Sequence, residues 1–213
     1  RSGANKGFEQ SVPMNFDGIS YPRSQLARTP LVDLQRVEVL RGPQPTLFGK
    51  NAIGGVVNIT SAKPTEEFEG KFSTSHESEH GEDQSLLVLS GALSDNLLGR
   101  ITVSTREMDG WITNQKMKRL EPQRDETYIR GQLAWTSGDV DYNLKVETAD
   151  FDSTGYAMEA IAPQDGYGLV FAGPIAVETS ENWVRSSGET FSQNTMDNFV
   201  LTANYPMDGG GTL

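Results

Sequence analysis

A two-residue rhythm constrains this chain more than any other feature of its sequence. Asp141, Asn143, Lys145 and Glu147 interleave with Tyr142, Leu144, Val146 and Thr148. Arg100, Thr102, Ser104 and Arg106 flank Ile101 and Val103 in the same way. Asn198, Thr202 and Asn204 alternate with Phe199, Leu201, Ala203 and Tyr205, and Ile129, Leu133 and Trp135 oppose Arg130 and Gln132. Leu87, Leu89 and Leu93 mark one face of a further run, whose second face is blurred by Leu86 and Val88. Successive side chains of an extended strand point to opposite faces, so each run predicts a strand with one apolar and one wet side. The runs last roughly ten residues, whereas strands of soluble proteins usually last about 5–6.

The spacing of these strands carries a second constraint. Candidates cover 68–77, 84–94, 97–108, 127–136, 140–150 and 198–206. After the first, the gaps between them alternate: Asp95-Asn96 is tight, 109–126 long, 137–139 tight and 151–197 very long. Membrane β-barrels have this asymmetry, with short turns at one rim and long loops at the other, and their alternating strands escape hydropathy tests for helices. Trp135, Tyr142 and Tyr205 all fall at the short-turn rim, where such barrels carry an aromatic girdle. A soluble antiparallel sandwich with one long insertion is the competing reading, but loops beyond about 12–15 residues are uncommon in compact domains. No apolar run approaches the roughly 20 residues of a membrane helix.

Up to Lys63-Pro64 the texture differs, being compact and rich in Gly and Pro. A short strand is predicted over 12–19, ending in the turn dipeptide Asp17-Gly18, and a helical turn over 31–34. Strands are predicted at 36–40 and at 54–60, with Val37, Val39, Val56, Val57 and Ile59 as the apolar side of a small sheet. The fold class expected is mainly β: a partial antiparallel transmembrane barrel wall preceded by a small α/β segment.

One stretch is longer and more specific than a strand pattern. It reads Asp33-Leu34-Gln35-Arg36-Val37-Glu38-Val39-Leu40-Arg41-Gly42-Pro43-Gln44 and continues through Leu47-Phe48-Gly49-Lys50-Asn51-Ala52-Ile53-Gly54-Gly55-Val56-Val57-Asn58-Ile59. With the upstream run from Val12 to Ile19, it resembles the plug domain of TonB-dependent outer-membrane receptors. The resemblance implies that residues 1–64 are the C-terminal part of a plug and that 65–213 are the N-terminal strands of an incomplete barrel. Arg41, Gly42, Pro43, Gly49, Asn51, Gly54, Gly55 and Asn58 are its structural motif residues. Glycine there permits turns and close backbone approach, and Pro43 fixes a turn. Pro45 departs from the pattern, where glycine is commoner, so the loop around Thr46 is expected to be built differently. Arg41 reads equally as a latch to acids of the wall or as a solvated turn charge.

The resemblance further implies a location in the bacterial outer membrane, against its lipid, and uptake of a scarce small-molecule ligand such as a ferric siderophore. A TonB energy-transducing complex would drive the full-length protein. Glycan, cobalamin or other nutrient uptake by the same mechanism is the alternative, and a non-transporting β-sandwich binding protein is a further one. The chain opens at Arg1 without an initiator Met and contains nothing like an energy-coupling box, so it is expected to be an internal piece of a longer receptor. Within the long 151–197 segment, Tyr156, Tyr167, Phe171 and Trp183 are candidate ligand-stacking residues, although mutual packing that orders the loop is the blander account.

Other chemistries fare poorly. The chain has no cysteine and a net charge of -11, which removes thiol chemistry and argues against nucleic acid as a partner. His76-Glu77-Ser78-Glu79-His80 spells a zinc-protease motif, but that motif requires a helix, and strand formers precede it while Gly81 follows at once. On a strand the imidazoles would stand about 13 Å apart, too far to share a metal. Gly42 to Lys50 lacks the phosphate-loop spacing, and Leu144 occupies the position at which a calcium loop opened by Asp139, Asp141 and Asn143 would need glycine. No enzyme activity, metal or cofactor is expected.

Overall fold

The computed structural model describes residues 11–21, 30–49, 51–155, 184–185, 188–207 and 211–212. Two sheets dominate them. The smaller contains β1 (Met14–Phe16), β2 (Ile19–Tyr21), β3 (Leu34–Arg41) and, after the four-residue α1 (Pro45–Phe48), β4 (Gly55–Ser61), in the order β2-β1-β4-β3. Asp17 and Gly18 turn β1 into β2, both at positive φ, as the Asp-Gly pair predicts. β1 runs parallel to β4 and β3 antiparallel to it, so β4 is central. Phe16, Ala52, Val56 and Ile59 form its core.

Two expectations are corrected here. Residues 31–34 form no helical turn: Asp33 takes the left-handed conformation, φ 51°, and β3 begins at the next residue. Val37 and Val39 are 51% and 66% exposed, because β3 is an edge strand and no described element packs over them.

The larger sheet is an antiparallel meander of β5 (Glu69–Glu77), β6 (Glu82–Ser94), β7 (Leu97–Met108), β10 (Gln123–Ser137), β11 (Val140–Thr154) and β13 (Phe191–Asn204). Its remaining insertions are β8 (Ile112–Asn114), β9 (Arg119–Glu121) and β12 (Val184–Arg185), a small sheet at the long-loop rim, and β14 (Pro206–Met207) pairs with β15 (Gly211–Thr212). The meander is not closed: β5 and β13 are its two edges.

Register turns the sequence alternation into two chemically opposite faces. Phe72, Leu87, Val103 and Ile129 align in one outward row, and Leu89, Ile101, Gly131, Val146 and Phe199 in the next. Leu133, Leu144 and Leu201 make a third, and beyond it Trp135 stacks on Tyr142 with ring centroids 5.1 Å apart, at the rim of the tight Gly138 turn. In the other direction the outward rows become polar: Thr74, Ser85, Thr105, Thr127 and Asp150, then Asp83, Glu107, Asp125 and Asp152. The inward face is mainly polar, with Val88 an apolar exception. Val88, Thr102, Arg130, Glu147 and Asn198 share a row, and Ser90, Arg100, Gln132 and Lys145 share its neighbour. An apolar band outside and polar residues inside is the polarity of a barrel wall in lipid.

Candidate functional site

The small sheet sits against the inward face of the wall, and the contact between them is made by charge. Asp33 is its centre. The Arg100 guanidinium donates to both carboxylate oxygens, at 2.5 and 2.9 Å; Thr102 Oγ1 donates at 2.6 Å and Arg130 at 2.9 Å. Arg130 also donates to the Asp33 carbonyl at 2.8 Å, which accepts the Ala62 amide as well. Asp33 thus ties the end of β4 to β7 and β10 at once. Aspartate is among the few residues that tolerate the left-handed conformation this bend requires. Burial opposes ionisation of Asp33, but the donors from Arg100, Thr102 and Arg130 outweigh it and hold the carboxyl at about 2.

A second tie lies two strands further along the Arg100 row. Lys145 Nζ reaches Asp17 at 2.6 Å, and Asp17 also accepts the Ser61 amide and hydroxyl, each at 2.8 Å. Burial again works against the Asp17 carboxylate, and Lys145 with Ser61 reverses it, so its pKa is lowered. The ties are joined through the wall. Arg130 donates to Tyr128 Oη at 3.4 Å, Tyr128 donates to Glu147 at 2.7 Å, and Lys145 pairs with Glu147 at 3.3 Å. Asn198 then bridges Glu147 to the Tyr21 hydroxyl, at 3.3 and 3.4 Å. One polar chain therefore crosses β7, β10, β11 and β13 while touching the β1–β2 turn, β2, the residue before β3 and the end of β4. Arg130 is 2% exposed and Glu147 4%, so these charges are compensated by each other rather than by water.

The motif residues singled out from the sequence shape the far edge of the small sheet. Gly42, Gly49 and Gly55 have positive φ and Gly54 does not; Asn51 does. At Gly55 a Cβ would lie 2.5 Å from the Leu40 carbonyl oxygen, so only glycine fits beside β3. Pro43 precedes α1 and Pro45 opens it, where its missing N–H is no loss, so the departure from glycine is absorbed as a helical turn. Asn58 donates to Glu38 at 2.7 Å and accepts from Asn15 at 3.0 Å. Arg41 is exposed and pairs with no carboxylate among the described residues. Tyr156, Tyr167, Phe171 and Trp183 lie outside the described residues. Asp33, Asp17, Arg100, Arg130 and Lys145 were not singled out from the sequence as a site. The available signal was that Arg100, Arg130 and Lys145 are cations on the wet face of predicted wall strands.

His76 lies in β5 and His80 in the turn that follows, so the zinc-protease helix does not form. His76 pairs with Asp83, and His80 pairs with Glu77 and meets the Trp111 ring edge-on. Glu77, Glu79 and His80 bring ligand atoms within 4.8 Å of one another, an exposed carboxylate–imidazole cluster on a turn.

A glycine-bent sheet tied by charge to the wet side of a lipid-polarised wall defines a plugged outer-membrane barrel. Comparison with known proteins agrees: residues 3–56 match the family described as TonB-dependent Receptor Plug Domain. The chain is similar to TonB-dependent outer-membrane receptors. It is 28% identical to the Ferrienterobactin receptor of Escherichia coli (strain K12) over 211 residues, 95% of this chain and 28% of that protein. It is 36% identical over 112 residues to the Iron-regulated outer membrane virulence protein of Vibrio cholerae (strain ATCC 39541), 50% of this chain and 17% of that protein. The crystal structure of the ferric yersiniabactin uptake receptor from Yersinia pestis superposes with a TM-score of 0.71 at 22% identity, over 93% of this chain and 30% of that one. This last likeness concerns the fold. The chain spans between 17% and 28% of the length of the two relatives named.

Proposed function

We propose that this chain supplies the plug and the first wall strands of a receptor that imports a ferric siderophore across the bacterial outer membrane. In this reading the plug ends near Pro64 and the wall begins at residue 65, between the last strand of the small sheet and the first of the large one. The observation that carries the reading is the Asp33 tie, because it seats a compact sheet inside a wall whose outer face is apolar. A plug held by a few discrete ion pairs can be released by a directed pull, whereas one fused to the wall by an apolar core could not. The similarity to the Ferrienterobactin receptor supports a ferric ligand. The partners that follow are outer-membrane lipid, the ferric chelate and the TonB energy-transducing complex of the complete receptor. The role involves no catalysis. The four loop aromatics remain candidates for ligand stacking, and the eight motif residues for the structural frame of the plug.

The test is uptake of a radioiron-labelled siderophore panel by cells carrying or lacking the complete receptor gene. Loss of ferric uptake on deletion, restored by the gene in trans, is expected. Undiminished ferric uptake accompanied by loss of glycan or cobalamin uptake would reassign the ligand.

A further inference from the structure

The outward face of the wall is not evenly covered by side chains. Gly91 on β6 faces Gly99 on β7, and Gly131 on β10 stands two residues further from the tight-turn rim, between Ile101 and Val146. The three glycines leave a bare floor across adjacent strands, none of them an edge of the described sheet. Leu89 and Ile101 border it toward the long loops, Leu133 toward the tight turns, Val146 at β11, and Phe68 with Leu93 at the other end. The result is an open trough of about 460 Å³ on the lipid side. Phe68 and Leu93 are 78% and 64% exposed, so they stand up as ridges. A Cβ added at Gly99 would lie 2.8 Å from Leu93, whereas one added at Gly131 would meet nothing within 4 Å.

The trough offers an occupant neither charge nor hydrogen bond. Its polar lining residues turn inward: Arg100 is held by Asp33, Gln132 by Ser61, and Ser90 by the Gly99 carbonyl. The floor's own amides and carbonyls are paired in the sheet ladder. The occupant is therefore hydrocarbon, which gains dispersion contact with a floor and two flanks instead of lying across side-chain tips.

Depth and charge narrow the choice further. The Trp135–Tyr142 stack stands one outward row beyond Leu133 and Leu144, about 7 Å along the strands. Aromatic pairs of this kind sit at headgroup level, which places the trough just inside the hydrocarbon of the leaflet on the tight-turn side. The two tight turns there carry exposed Asp95 and Asp139 and no lysine or arginine. A headgroup above the trough thus meets carboxylates, which favour an ammonium over a net anion.

We propose that the Gly91–Gly99–Gly131 trough is a binding site for one acyl chain of a phospholipid with an ammonium headgroup, retained by the receptor while its neighbours exchange. The proposal rests on the reading of the large sheet as a wall in lipid, but not on which ligand the receptor imports. It is tested on the complete receptor, delipidated in detergent and titrated with palmitoyl-oleoyl phosphatidylethanolamine or, in parallel, with the phosphatidylglycerol of the same chains. Native mass spectrometry counts the lipid bound. One phosphatidylethanolamine per receptor is expected, held more tightly than phosphatidylglycerol, and weakened about tenfold by Gly131→Leu. That side chain enters open space and keeps the face apolar, so it fills the trough without removing ordinary lipid contact. Asp139→Lys should abolish the headgroup preference. Should Gly131→Leu fail to fold, a wild-type structure in phosphatidylethanolamine nanodiscs decides: an ordered chain over Gly99 and Gly131 supports the site, and its absence overturns it. Equal retention of both lipids, unchanged retention in Gly131→Leu, or a receptor dimer that covers the trough in place of lipid would also overturn it. Ferric uptake is scored separately, so uptake without a retained lipid sinks only the trough, and a retained lipid without uptake sinks only the transport reading.

Discussion

The small sheet and the wall are built on opposite polarities. In the plug, apolar residues such as Phe16, Val56 and Ile59 turn inward on themselves, and ionised side chains reach out. In the wall, Leu89, Ile101 and Phe199 face outward, and Arg100, Arg130 and Lys145 face in. Two bodies of opposite polarity meet on their charged sides, and the plug supplies the acids. The difference teaches that the contact is strong only while every charge keeps its partner. Breaking one side of a buried pair costs about 3–5 kcal/mol, although the intact pair adds little over an apolar replacement.

The largest effect is expected from Asp33→Ala. It leaves Arg130 buried without its carboxylate and Arg100 with Glu69 alone, and should lower the stability of plug docking by roughly 3–5 kcal/mol. Urea titration of plug protection against a protease, with the receptor in lipid, measures it. Gly55→Ala acts on the plug alone. Its methyl would press on the Leu40 carbonyl at a positive φ, for a loss of about 3 kcal/mol in the same titration, with the wall's circular dichroism unchanged. Ile101→Lys places a charge on the lipid face of the wall, and should cost about 2–4 kcal/mol in reversible folding into vesicles if that row lies near the midplane. The same substitution on a soluble sandwich surface would be nearly silent, so this variant separates the two architectures.

The smallest effect is that of mild acid. The Asp33 carboxyl titrates near 2 when docked, below the roughly 3.9 of an unfolded aspartate. A lowered native pKa stabilises above the unfolded value, and that gain disappears as pH falls through the native one. Asp17 shifts in the same direction. Plug protection should therefore be flat from pH 7 to 5 as far as these ties are concerned, and should fall only below about 4. A drop near pH 6 would point to a different tie.

The wall was legible because lipid enforces a period of two along each strand. Legibility ended where the lipid does. β10 starts at Gln123 and β13 at Phe191, several residues before the alternation becomes visible, because Asp125, Asp152 and Gln193 lie in a row that is polar on its outer face. The insertion between β7 and β10 likewise contains the β8–β9 hairpin, too short to leave a periodic trace. In the plug, the glycine motif and the Asp17-Gly18 turn could be read because they are local. The Asp33 tie could not, since its partners lie 67, 69 and 97 residues along the chain. Local sequence suggested a helical turn around Asp33, and the distant cations decided otherwise. Arg41, which read equally as a latch or as a solvated turn charge, is exposed, and the ties run from plug acids to wall cations.

A double-mutant cycle between Asp33 and Arg130 tests the central claim most directly. Asp33→Ala, Arg130→Met and the double variant are compared by plug protection in lipid. Direct pairing across the seam predicts a coupling of about 1–3 kcal/mol, with the double variant less damaged than the sum of the singles. Effects that add within about 0.3 kcal/mol would contradict a plug held to its wall by this charge.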